Sequence, residues 1–454
     1  MNLLLVLFII LLYCTHAVKR FEMVLEPVFK DSNSLLRNIE SKAQISQGSH
    51  ETHKSGTRRY LKSVAQEIDN IRNLEYHGTL YMGPEKQKMT FQYDTGSSWI
   101  VFPTTLCKEC TNHNLYDING SLDLPKDHKQ REKAFANIPV YDITYGDGSN
   151  IDVTKVQEDV YLSKDGPQVV KNLVMFGIVS ARNYERSIAD GILGLGPSHQ
   201  KSGRINFVTT LKEQGIIDDE IVSFDYKPVG MDSRIIFGDI DTEVVKNKSD
   251  IAWIPMKGGT NYWILSINSV YYGDKKLHYQ PKYAIIDTGS SDLVLAQWAF
   301  LDFMAYHLNR SLDCSFSPNK EFVECGCEGG LESFPKFTFN INGYDLVLGP
   351  EEYILKVGKS CSIQIFNIGS EVNMQDTIIL GVNFLRKYFT IFDIKNSKIG
   401  IYGKGVTRNK NSTPKYKLYL VLTSLLALVA IITAILFMCE PRIERSFSQG
   451  GKMH

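Results

Sequence analysis

Between Tyr76 and Gly403 the chain alternates apolar and polar positions in short runs, broken repeatedly by Gly, Asn, Asp and Pro. A two-residue period with frequent turn formers predicts strands, so this stretch reads as mainly β. One helix is expected, at Ile205 to Gln214, ending at Gly215, where a C-cap glycine fits. Val140-Tyr-Asp-Ile-Thr144 and Ile151-Asp-Val-Thr154 flank Tyr145-Gly-Asp-Gly-Ser149, a hairpin pattern in which glycine takes positive φ cheaply.

The ends of the chain differ from this middle. Leu3 to Tyr13 is apolar and the size of a signal-peptide core, though Met1-Asn2 brings no Lys or Arg, with an uncleaved N-terminal anchor as the alternative. Val18 to about Asn73 is polar, with a strand-like start at Phe21-Glu-Met-Val-Leu25 and a basic end at Lys54, Arg58 and Arg59. It has no core-sized pattern, which suits a removable prosegment. His50 and His53 in that stretch read as a solvated loop. Tyr419 to Cys439 carries no charge and as a helix would reach about 31 Å, enough for one bilayer crossing. Lys415 and Lys417 precede it; Arg442, Arg445 and Lys452 follow, which places the tail in the cytosol under the positive-inside rule.

The expected organisation is a signal peptide at 1–17, a prosegment at 18–75, a lobe at 76–225 and a second lobe at 226–404. A linker follows at 405–418, a transmembrane helix at 419–439 and a cytosolic tail at 440–454. The chain is then a single-pass type I membrane protein of the secretory pathway, its globular part lumenal or extracellular, on a vesicle or the cell surface.

Composition adds exclusions. The 454 residues hold 50 basic and 50 acidic side chains, a balance with no electrostatic footprint for nucleic acid. Of eight cysteines, Cys14 falls in the signal and Cys439 at the membrane edge. Cys107, Cys110, Cys314, Cys325, Cys327 and Cys361 remain, and an even number in a secretory context implies up to three disulfides. Cys107 and Cys110 are close enough to staple a loop; the other four allow three pairings. Zinc at the CxxC is the rival reading, and no second CxxC or paired His accompanies it. Asn119, Asn247, Asn309 and Asn411 are glycosylation acceptors by sequence.

The chemistry lies in a duplication. Asp-Thr-Gly-Ser-Ser occurs at Asp94 to Ser98 and again at Asp287 to Ser291, each time between apolar strand-like runs. Each copy is followed at nearly equal distance by Ile-Leu-Gly, at Ile192 to Gly194 and Ile379 to Gly381. The bland alternative is two glycine-containing strand ends with local turns. A duplicated carboxylate in a duplicated setting instead predicts two similar lobes that bring Asp94 and Asp287 together. Gly96 and Gly289 would aim backbone N–H groups at the carboxylates, Thr95 and Thr288 would tie the loops together, and Ser97 and Ser290 would donate to the outer oxygens. Two adjacent carboxyls share a proton, so one can activate water while the other polarises a carbonyl. No metal or cofactor is required.

These residues resemble the pepsin-family aspartic proteases, and within them the plasmepsins of malaria parasites, over roughly Tyr76 to Gly403. The matching segments are Asp94-Thr-Gly-Ser-Ser98, Tyr145-Gly-Asp-Gly-Ser149, Ala189-Asp-Gly-Ile-Leu-Gly-Leu-Gly196, Ile286-Asp-Thr-Gly-Ser-Ser291, Ile379-Leu-Gly381 and Tyr388-Phe-Thr-Ile-Phe-Asp393. The resemblance implies a bilobal β fold with a cleft between the lobes and Asp94 and Asp287 as the catalytic pair. Tyr145, Gly146, Asp147, Gly148 and Ser149 would form a flap over a polypeptide substrate. It also implies a zymogen, no cofactor, a monomer, and cleavage between apolar residues. The tether leans toward processing of secreted or surface proteins.

The chain departs from the family pattern in places. Val101 stands where the family has the Trp that supports the flap tyrosine, with Trp99 two places earlier. Gln92 stands where an apolar subsite residue is common, which makes the S1 side more polar. Val382 replaces an Asp, and the small disulfide loop often seen before the second motif has no cysteines here. The Val101 departure motivates an alternative, a membrane-anchored peptide-binding pseudoprotease. An ion pump, suggested by Asp-Thr-Gly alone, would need many spans.

Overall fold

The computed structural model describes residues 62–433, except 72–73, 112, 119–138, 146–148, 185–187, 198–205, 309–312, 317–322, 368–373 and 410–422. The signal peptide, most of the prosegment, the cytosolic tail, both ends of the 419–439 run, and Asn119, Asn309 and Asn411 therefore lie outside the described residues.

Among the described residues, twenty-six strands form three sheets. A repeated arrangement organises the first two. In the first half, Gln87–Asp94 runs parallel to Gly191–Gly194, with Asp94 opposite Gly194. Ile100–Pro103 lies antiparallel to Gly191–Gly194 and parallel to Val169–Arg182. In the second half, Tyr283–Ile286 runs parallel to Thr377–Leu380. Leu293–Leu295 lies antiparallel to Thr377–Leu380 and parallel to Ile365–Asn367. Thus each Asp-Thr-Gly loop ends one strand, and the Ile-Leu-Gly strand slots between that strand and the next. Apart from half-buried Tyr283 these inner strands are buried, which is why they read as continuous apolar runs and not as alternation.

The halves share a sheet. Its order passes from Ala252–Pro255 through Lys398–Tyr402, Phe389–Asp393, Ile221–Asp225, Ser233–Phe237, Val64–Ile71 and Glu75–Met82 into the first lobe. Strand Val64–Ile71, placed in the prosegment by its polar composition, pairs on both edges, with Ser233–Phe237 and with Glu75–Met82. Only Ile68 along it is buried, so its pattern is that of a half-solvated strand.

Helices are few. The expected one spans Phe207–Glu213, started by Asn206, whose side-chain oxygen accepts from Val208 N and Thr209 N. A second, Gln297–Leu308, follows strand Leu293–Leu295 directly. Residues 423–433 are helical with exposed side chains; among the described residues no helix is long and apolar enough to cross a membrane.

The cysteines pair as Cys107–Cys110, Cys314–Cys325 and Cys327–Cys361. Cys314–Cys325 bridges neighbouring strands of a four-stranded sheet, and Cys327–Cys361 ties the residue just after strand Val323–Gly326 to its other neighbour, where Cys325 faces Cys361 in register. Asn247 is exposed and caps the turn Lys248–Asp250.

Candidate active site

Asp94 and Asp287 are both buried, at 2% and 3% exposure, and their carboxyl groups hydrogen-bond to one another. Each carboxylate first receives the N–H of its own loop: Gly96 N donates to Asp94 Oδ1 and Gly289 N to Asp287 Oδ1, both at 2.8 Å. The loops interlock as well. A methyl group built on Gly96 would lie 2.5 Å from Asp287 Oδ1, and one on Gly289 would overlap Asp94 Oδ1. Only glycine lets each backbone approach the opposite acid this closely.

The two threonines lock the pair. Thr95 N donates to Thr288 Oγ1 at 2.9 Å and Thr288 N to Thr95 Oγ1 at 3.0 Å. Their hydroxyls donate onward, Thr95 Oγ1 to Ile286 O and Thr288 Oγ1 to Tyr93 O. Four bonds therefore cross or brace the junction, all of them buried. Behind each loop stands the Ile-Leu-Gly strand. Leu195 N donates to Asp94 O at 2.6 Å and Asp287 N to Leu380 O at 3.2 Å. A Cβ on Gly194 would lie 2.6 Å from Trp99 N and O; one on Gly381 would lie 2.5 Å from Ser290 O. The glycine ending each signature thus makes room for its Asp-Thr-Gly loop.

Burial holds the Asp287 carboxyl well above the usual carboxylate range, and the charge of Asp94 adds to the effect; N–H donors from Gly289 and Ser290 oppose it. The pair therefore retains a proton, the arrangement that two-carboxyl hydrolysis of an amide needs.

The serines behave differently from expectation. Ser97 Oγ has no partner among the described residues, and Ser290 Oγ donates to Asp292 O at 3.4 Å. Neither hydroxyl reaches a carboxylate, because backbone amides of the tight turn already occupy those positions; Ser290 contributes its N–H instead. Gln92 also departs from its expected place. It is 2% exposed, and its Nε2 donates across the lobe junction to Gly289 O at 3.1 Å, so it is not a polar lining of a subsite.

Tyr145 follows strand Val140–Thr144; its N–H donates to Ser149 O at 2.7 Å, and Ser149 is buried. Gly146, Asp147 and Gly148 lie outside the described residues. The Tyr145 ring is buried in a cluster with Val101, Ile151, Val153, Ile178 and Ile192, against which Trp99 also packs. Trp99 itself makes an edge contact with Phe176, centroids 4.3 Å apart.

Three residues of the site carry no motif. Trp263 Nε1 donates across the junction to Leu195 O at 2.9 Å. Tyr226, buried against Tyr76 with ring centroids 4.1 Å apart, hydrogen-bonds Thr288 through its hydroxyl. Asp292, directly after the second motif, is pushed up to about 7 by burial, with Arg386 opposing. Their partners lie far away in sequence, so no local pattern marks them; for Asp292 the only available signal is its place directly after the second Asp-Thr-Gly-Ser-Ser motif.

Comparison with known proteins fits this geometry. A family model described as eukaryotic aspartyl protease matches residues 75–403. Pepsin A of Gallus gallus is 29% identical over 74% of this chain and 85% of its own length. Pepsin A of Bos taurus is 29% identical over 76% of this chain and 89% of its own. Vacuolar protease A of Neurospora crassa is 27% identical over 74% of this chain and 80% of its own. With a doubled strand arrangement that joins two buried acids, and a family match spanning both lobes, this chain belongs to the eukaryotic aspartyl protease family.

Proposed function

We propose that the protein is an active aspartic endopeptidase, made as a zymogen and tethered by the 419–439 run, of the plasmepsin type, that processes secreted or surface polypeptides. The hydrogen bond between the Asp94 and Asp287 carboxyls carries this reading. Water held by the pair loses a proton to the ionised partner as its oxygen bonds to the scissile carbonyl carbon. The protonated partner gives its proton to the carbonyl oxygen. Collapse of the resulting diol returns a proton to the pair, and the other reaches the leaving nitrogen as the C–N bond breaks. The low-dielectric setting, with the glycine N–H groups pre-aimed, stabilises the charge as it moves.

The test is cleavage of apolar-flanked peptides by the processed, full-length protein, with Asp94→Ala and Asp287→Ala beside it. Each variant should lose at least about 10³-fold in kcat, and both together little more, because the pair acts as a unit. A statine-type inhibitor should abolish the wild-type activity. Undiminished cleavage by either variant would sink the mechanism; inhibitor binding without turnover across a broad pH series would favour the pseudoprotease.

A further inference from the structure

Gln92 lies two residues before Asp94 on strand Gln87–Asp94, so both side chains point to the same face. Its Nε2 crosses to the other lobe and donates to Gly289 O at 3.1 Å. That carbonyl belongs to the Gly289–Ser290 peptide, and the N–H of the same peptide donates to the Asp287 carboxyl. One peptide unit thus accepts from the first lobe at one end and serves the catalytic acid at the other. A hydrogen bond accepted at a C=O polarises its amide and strengthens the N–H as a donor. It also fixes the plane of the peptide, hence the direction in which the N–H points.

We propose that Gln92 is a positioning residue of the dyad, holding and polarising the Gly289–Ser290 peptide against the Asp287 carboxyl. This rests on the dyad reading above and adds a residue to it. The amide is neutral, so it acts at every pH without adding a charge to the pair. The titratable groups facing this junction are Asp94 on the same strand, Asp287 and Asp292 on the opposite loop, and Tyr226 against Thr288. On the neighbouring strand, His77 stands opposite Gln92 in register and pairs with Glu75 at 2.8 Å.

The sign follows from the donor. The Ser290 N–H favours the anionic form of the pair, so weakening it raises the pH at which the pair loses each proton. Gln92→Met keeps the length and removes the donor. In the processed, full-length protein, with active sites counted by a tight statine-type inhibitor and a fluorogenic octapeptide as substrate, kcat should fall about tenfold. The acid limb of kcat/KM should move up by about half a unit. A merely structural role would lower melting temperature and active fraction and leave the limbs in place. Gln92→Glu has the same shape but donates only while protonated, so its activity relative to wild type should fall as pH rises. Unmoved limbs in Gln92→Met, or a flat ratio in Gln92→Glu, would overturn the proposal. Full activity in Asp287→Ala would instead overturn the dyad.

Discussion

Replacing Thr288 by Val tests whether the junction between the lobes is held by hydrogen bonds and not by shape. The substitution keeps the branched side chain and removes one hydroxyl. That hydroxyl accepts from Thr95 N at 2.9 Å and donates to Tyr93 O at 2.6 Å, both in a buried setting. The change leaves the Thr95 N–H, the Tyr93 C=O and the Tyr226 hydroxyl without that partner, and each orphaned group costs about 1–3 kcal/mol. The Tyr93 carbonyl has a second lone pair, so its share falls at the low end, and a loss of about 3 kcal/mol is expected. A domain holds only about 5–15 kcal/mol of stability, so urea unfolding should show a clear drop in midpoint with an unchanged slope. The catalytic effect should be larger, because Thr288 is the neighbour of Asp287: a shift of about 1 Å in the acid can cost about 10²-fold in kcat. Thr95→Val should behave alike, and the double variant should fall short of the sum by about 1–2 kcal/mol, since the two residues exchange bonds. A single-variant loss under about 1 kcal/mol with unchanged kcat, or strict additivity, would refute this account.

Gly194→Ala and Gly381→Ala should each destabilise by more than about 2 kcal/mol, because the new methyl meets backbone atoms that cannot give way; thermal unfolding at the wild-type temperature would contradict the close-approach reading. Asp190 offers a pH test. Burial pushes its carboxyl up, but bonds from Thr90 N and Oγ1 and from Asn114 N and Nδ2 outweigh this and hold it below its usual value. A lowered folded value means its stabilisation is present above about pH 4 and fades as pH falls through the folded value. Asp190→Asn should therefore unfold earlier than wild type at pH 6, with the gap closing below about pH 4; a pH-independent gap would exclude the charge.

What the sequence made legible was set by local pattern. The doubled Asp-Thr-Gly-Ser-Ser and its Ile-Leu-Gly partner are visible because each glycine answers a steric demand within a few residues of the acid. The hairpin around Tyr145 and the Asn206-capped helix are local for the same reason. Strand Val64–Ile71 is hard to read as a strand because its one buried residue leaves too little periodicity. Helix Gln297–Leu308 carries no clear amphipathic stripe, because Trp298 and Leu301 are exposed while Ala299, Phe300 and Phe303 are buried, so apolar residues surround its axis. The pairings of Cys314 and Cys327 depend on strand register, and the roles of Gln92, Tyr226 and Trp263 on contacts between lobes. The motif does not show that backbone amides, and not the Ser97 and Ser290 hydroxyls, serve the carboxylates.

The sheet uniting the lobes also sets an order of assembly. Strand Ile221–Asp225 pairs on one edge with Ser233–Phe237 and on the other with Phe389–Asp393, which in turn needs Lys398–Tyr402. A ribosome must therefore deliver the chain through Tyr402 before that edge can close. Contacts this distant along the chain form slowly. The seam joining the two halves is consequently among the last parts of the molecule to become whole, and a truncated product lacking those final strands would leave Ile221–Asp225 as an open β-edge.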